Sequence, residues 1–302
     1  MRWLITSAAL AYVFWAISQH EIWRGSVWLD VLLHPSHPVL MAFVIVGMPV
    51  NVGIEVLKWH ALTGGNMKPW RESIREVLVG SMFGMVTPNR TGDAIARVTL
   101  LPKSEQKAGA RAWAYGAWAQ SLWTLTFGML AFFILCFKPQ WTWGHSLDKP
   151  LFIPVGIFGM LLTIGWWALP RLITVQRFRI FQRWFAELGE PLSSEQRIKQ
   201  IAWSGLRYIV FTLQFFFALK AWGMESTGPL LAAIPLVYLG NMLIPSAALA
   251  ELGIREALMV AWIQPDDLLL PHLITATFFI WLINLCVPAL AGGVIQLMHC
   301  DD

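Results

Sequence analysis

Apolar residues gather into long unbroken blocks along this chain, and polar residues are confined to the gaps between blocks or to two short interruptions within them. A helix needs about 20 residues to cross the hydrocarbon of a bilayer. Blocks of that order lie at 3–18, 39–62, 112–137, 151–170, 200–222 and 272–298, the first being short and extended by its flanks. The pattern predicts an all-α polytopic membrane protein with six transmembrane helices. The opening block, after Arg2, reads as an uncleaved first helix rather than a leader cleaved at Ala16-x-Ser18, because bulky aromatics fill it and more membrane helices follow.

Two further apolar regions, 76–101 and 230–262, are broken near their middles by Pro88 and Pro245 with neighbouring glycines and polar residues. Each half is too short for a perpendicular crossing. The economical expectation is a re-entrant pair in each region: a half-helix in, a turn, a half-helix out, both ends on one side. A kinked full-length helix and a tight transmembrane hairpin are the alternatives.

Loop charges favour re-entry, because lysine and arginine collect in short cytoplasmic loops. With both breaks re-entrant and the N-terminus inside, thirteen basic residues fall on the cytoplasmic side, among them Lys68, Arg71, Lys103, Lys107 and Arg183. Only Arg24, Lys138 and Lys149 fall opposite, and the C-terminus is also cytoplasmic. This topology exposes an inverted repeat. Residues 39–137, holding the break 76–101, match residues 200–298, holding the break 230–262, in order but with opposite orientation. Block 151–170 joins them. Repeats of this kind carry substrate sites where their discontinuous helices meet.

Composition agrees with a bilayer setting. Of 302 residues, 57% are hydrophobic and 13% charged, far more apolar than a soluble domain of this size requires. Eighteen tryptophans suit membrane boundaries, where an indole has both an apolar contact and a wet edge. Residues 171–199 read as a basic amphipathic cytoplasmic segment that rests on an anionic leaflet or simply fixes topology. Cys136, Cys286 and Cys300 show no metal or disulfide spacing. No catalytic or nucleotide-binding motif is legible, so neither a metal, a cofactor nor a nucleic-acid partner is expected.

The two breaks are the candidate site. Arg90, Arg97 and Arg255 facing lipid would together cost of order 8 kcal/mol, so they need partners. Asp93, Glu251 and Glu256 are near enough in sequence to neutralise them. Alternatively the arginines face an anion, since guanidinium matches phosphate oxygens and half-helix N-termini present free N–H groups. Thr87, Asn89, Thr91, Asn241 and Ser246 add uncharged polar groups. Gly84 and Gly92 would admit close backbone approach, Pro88 and Pro245 would stop the helices, and Gly253 is read with them as a structural-break residue. In the flanking spans Glu55 and Lys58 share a helical face, as do Arg207 and Gln214, while Gln120 and Asn284 occupy matching places after each break. These either line a cavity, where the acids are proton-coupling candidates, or bond neighbouring helices.

The stretch Thr87-Pro88-Asn89-Arg90-Thr91-Gly92-Asp93 with Arg97, and Ile244-Pro245 followed by Leu252-Gly253-Ile254-Arg255-Glu256, resemble the two signatures of a known family. That family is the flippase-like membrane domain of bacterial lysylphosphatidylglycerol synthetases, which also occurs free-standing; this chain resembles such a member, without the aminoacyl-transferase domain. The resemblance implies translocation of a lipid, often one with a phosphate headgroup, between the leaflets of the bacterial inner membrane. The expectation is therefore a non-enzymatic lipid flippase, with a homodimer left open. A membrane-embedded transferase using Asp93 or Glu256 as base, and a non-transporting envelope scaffold, are the other readings.

Overall fold

A computed structural model describes residues 26–63, 68–137, 149–173, 192–225, 227–244, 246 and 248–299. Block 3–18, Pro245 and most of segment 171–199 lie outside the described residues. Every regular element within them is helical: α1 (Ser26–Leu33), α2 (Pro38–Thr63), α3 (Trp70–Val86), α4 (Thr91–Leu100), α5 (Gln106–Phe137), α6 (Lys149–Ile173), α7 (Ser194–Ala221), α8 (Thr227–Leu243), α9 (Ala248–Ile263), α10 (Leu270–Trp281) and α11 (Val287–Met298). Four helical stretches are long and apolar enough to cross a membrane: α2, α5, α7 and the run Leu270–Met298 formed by α10 and α11. Where six such helices were expected, the described residues thus give four. Within α6, the stretch Gly156–Ala168 is apolar but shorter.

Local chemistry sets the boundaries. At the start of α7, Gln196 N–H donates to Ser193 Oγ at 3.2 Å and Ser193 N–H to Gln196 Oε1 at 3.0 Å, a reciprocal cap that satisfies two otherwise orphaned donors. Helix α3 stops at Val86 because Thr87 precedes a proline and adopts an extended conformation. A single turn, Pro88–Arg90, then reverses the chain into α4. Between α10 and α11 the helix widens into a π turn, Leu282–Cys286. Pro288 has no N–H to offer Asn284 and its ring crowds that carbonyl, so the backbone is displaced there without ending the helix.

Helices α3 and α4 run antiparallel, Gly84 lying against Asp93 and Gly80 against Arg97. Helices α8 and α9 also pack on each other, Gly240 against Leu258. These two hairpins sit within a reciprocal pattern of contacts. Helix α2 is antiparallel to α7: Gln200 Nε2 donates to Lys58 O, Arg207 Nε to Asn51 Oδ1 and Gln214 Nε2 to Val44 O, at 2.7–2.9 Å. The first hairpin packs its α3 on α11, while the second packs its α8 on α5. At the former seam Gly292 is indispensable, since a Cβ there would stand 2.0 Å from Leu78 O.

The largest core joins α7, α8, α9 and α10 through Phe215, Trp222, Leu230, Ile234, Met259 and Leu273, all fully buried. A second, built on Met82, Met85, Leu252, Phe278 and Trp281, ties α3 to α9, α10 and the π turn. Outward faces are apolar as well, with Val39, Phe43 and Val46 of α2 and Phe158, Leu161 and Leu162 of α6 exposed. Apolar residues both inside and outside leave the polar residues one place to gather.

Candidate functional site

The tip of the first hairpin is held open by backbone geometry. Asn89 and Arg90 are consecutive left-handed residues, with φ of 50° and 57°. Such a conformation costs a non-glycine residue about 1–2 kcal/mol, least for asparagine. It is fixed from both sides. Thr87 Oγ1 accepts from Gly92 N–H at 2.7 Å, capping α4, and a Cβ at residue 92 would lie 2.4 Å from Phe83 O. From across the molecule, Asn89 N–H donates to Ser246 O at 3.0 Å and Ser246 N–H donates to Asn89 Oδ1 at 3.2 Å. The two hairpin tips, 157 residues apart in sequence, are therefore clasped directly.

Two polar chambers adjoin this clasp. The larger, about 410 Å³, has Asn89, Arg90, Gln120, Arg207, Asn241, Glu251 and Arg255 in its wall, with Tyr208 and Tyr238. The smaller, about 320 Å³, is lined by Asn51, Glu55, Lys58, Asp93, Arg97, Trp113 and Asn284 among others. Asn89, Arg90, Gln120, Thr124, Arg207 and Met242 belong to both and form the partition between them.

Electrostatics divides the chambers. In the smaller one Glu55 is a hub: its Oε1 accepts from Arg97 Nη1 at 2.8 Å, and its Oε2 stands 3.1 Å from both Lys58 Nζ and Arg207 Nη1. Arg97, 5% exposed, also donates from Nε to Asp93 Oδ1 at 2.8 Å and lies over the Trp59 ring. Trp113 Nε1 takes the other Asp93 oxygen at 2.9 Å. These side chains are largely withdrawn from water by the bundle and linked to one another, two carboxylates serving three cations. Matters differ in the larger chamber. Arg255, 3% exposed, donates from Nη2 to Glu251 at 2.8 Å, while its Nε and Nη1 have no hydrogen-bond partner among the described residues. Asn241 is likewise without a partner at either side-chain atom, and Arg90 makes no ion pair with any described residue. An unmet buried donor costs about 1–3 kcal/mol. Arrangements of this kind persist where something else supplies the acceptor.

Sequence reasoning brought Arg90, Arg97 and Arg255 to a single pocket; in the structure Arg97 belongs to the smaller chamber and is paired with two carboxylates, Arg255 belongs to the larger, and Arg90 to both. Thr87 caps a helix and lines neither chamber. Glu256 is half-buried on α9 and also lines neither. Gln214 is a bond between α2 and α7, not a cavity residue. Gly253 makes no break: it sits inside continuous α9, and a methyl group in place of its hydrogen would meet nothing within 4 Å. Gly84 and Gly92 do lie at close approaches, and Pro88 opens the turn. Asn51, Trp113 and Gln200 were missed. Asn51 was within reach, being on the helical face of Glu55 and Lys58 at spacings of four and seven; nothing in the sequence singles out the other two.

Among the described residues no three histidine, cysteine or carboxylate side chains are grouped to hold a metal ion. No family model matches the chain, and neither does any curated protein or solved structure. Fold and site together define a class, a helical membrane protein with a charged, partitioned interior.

Proposed function

We propose that this protein translocates an anionic lipid between the leaflets of the bacterial inner membrane. In this reading each hairpin is re-entrant, the two halves of the chain are inverted copies, and the hairpin tips meet at mid-depth beside the chambers. The antiparallel pairing of α2 with α7, and the exchange of partners between α3 on α11 and α8 on α5, support the inverted repeat. The observation that carries the function is Arg255: a guanidinium with two nitrogens unmet among the described residues, buried in the wall of a polar chamber among apolar helices. The headgroup occupies that chamber while its acyl or prenyl tails stay in lipid. Arg255, Arg90 and Asn241 contact it, with Asn89 at the tip. Arg97, Glu55, Asp93 and Lys58 hold the partition in place.

Transport is favoured over group transfer because, of the two candidate bases, Asp93 is held in an ion pair with Arg97 and a bond from Trp113, and Glu256 lines neither chamber. The test is a reconstituted vesicle assay in which fluorescent anionic lipid becomes accessible to an external quencher. Arg255→Ala and Arg90→Ala lower the rate at least about tenfold, as loss of a charge-assisted contact of roughly 1.5 kcal/mol requires, and Arg255→Lys recovers part of it. Wild-type rates in both alanine variants would refute the assignment.

A further inference from the structure

The charges lining the two chambers do not balance. Five cations, Lys58, Arg90, Arg97, Arg207 and Arg255, meet three carboxylates, Glu55, Asp93 and Glu251, which leaves an excess of two positive charges. Its location can be followed bond by bond. Arg255 and Glu251 cancel each other. Glu55 and Asp93 together serve Lys58, Arg97 and Arg207, one cation too many. Arg90 makes no ion pair with a described carboxylate. Both surplus charges thus border the partition, because Arg90 and Arg207 each line both chambers, and the unmet Nε and Nη1 of Arg255 belong to the larger one.

Arg90 is half-exposed and the Arg207 side chain keeps 26% of its surface, so both surplus charges are open to the chambers, where an anion of matching charge would offset them. A phosphodiester, with one negative charge, would leave one cation uncompensated. Resting on the reading of this protein as a lipid translocase, we propose that its substrate headgroup ends in a doubly charged phosphate, a phosphomonoester, seated between Arg90, Arg207 and Arg255. Three terminal oxygens match three guanidinium groups, which a diester with two cannot do. Asn241, whose side-chain amide is unmet among the described residues, adds an uncharged donor to one of those oxygens. The second ionisation of a phosphomonoester falls near about pH 6, so the group is mostly a dianion in the cell.

The full-length protein in lipid nanodiscs is titrated with three probes above that ionisation: a short-chain phosphatidic acid, the matching phosphatidylglycerol, and inorganic phosphate. The monoester lipid binds at least about tenfold more tightly than the diester, a difference of roughly 1.4 kcal/mol. Arg90→Ala, at a half-exposed tip position, reduces that ratio below about threefold by weakening the monoester alone, whereas Arg90→Lys retains it. Inorganic phosphate binding as tightly as the monoester lipid would show a site for the free ion and overturn the proposal. Equal affinity for both lipids, or equal weakening of both by Arg90→Ala, overturns it too. In that case diester movement in vesicles, still dependent on Arg255, leaves the translocase reading standing.

Discussion

Glu55 shows how one buried carboxylate can organise several cations. It was visible in the sequence as an acid on the face of Lys58, but its ties to Arg97 and Arg207 cross 42 and 152 positions and depend on the packed helices. Removing one partner of a buried ionic group is far costlier than removing both, because the remaining charge is stranded; about 3–5 kcal/mol is typical. Glu55→Ala therefore lowers the thermal midpoint in detergent sharply or prevents folding. Adding Lys58→Met to it restores part of the loss, since one stranded charge is gone. Equal midpoints for Glu55→Ala and the wild type would show that water reaches these cations freely. Arg97 and Arg255 make the complementary point. Both are arginines in apolar helices with an acid four residues earlier, yet only Arg255 is left with donors to spare, and that difference lies in which helix stands opposite.

Element by element, the break at Pro88 and the one between Leu243 and Ala248 were legible because proline and its neighbours end helices through local geometry alone. What the tips do afterwards was not. The clasp between Asn89 and Ser246 joins two residues whose own surroundings give no hint of each other, and it draws together the elements that border the larger chamber. If a headgroup passes between the hairpins, the clasp has to open during each cycle. Asn89→Cys combined with Ser246→Cys, in a chain whose three native cysteines are replaced, forms an intramolecular disulfide on mild oxidation and stops lipid movement until reduced. A cross-linked protein that moves lipid at the reduced rate would mean that the tips stay together throughout. Gly253 is the contrary case. Read as a breaker from composition, it lies in an unbroken helix, because a lone glycine costs only about 1 kcal/mol there and the flanking residues are held by packing.

For the whole molecule, the reciprocal contacts between the halves make a definite topological prediction. Re-entry of the first hairpin puts the chain before α3 and the chain after α4 on one face of the membrane. Arg71→Cys and Lys103→Cys, both exposed, are then labelled by an impermeant thiol reagent from the cytoplasmic side alone. Labelling from opposite sides would make the hairpin a crossing and dissolve the inverted repeat. By itself the sequence determined the helical character of the chain, the four helices long and apolar enough to cross a membrane, among the six it suggested, and the two interruptions, because hydropathy, proline and glycine act over a few neighbouring residues. Only the tertiary structure decided that the interruptions touch, that the polar interior is split in two, and that Arg97 meets two carboxylates while Arg255 meets one and Arg90 makes no ion pair with a described residue. Those outcomes depend on pairings across the bundle, between side chains that are remote along the chain and adjacent only once the helices have packed.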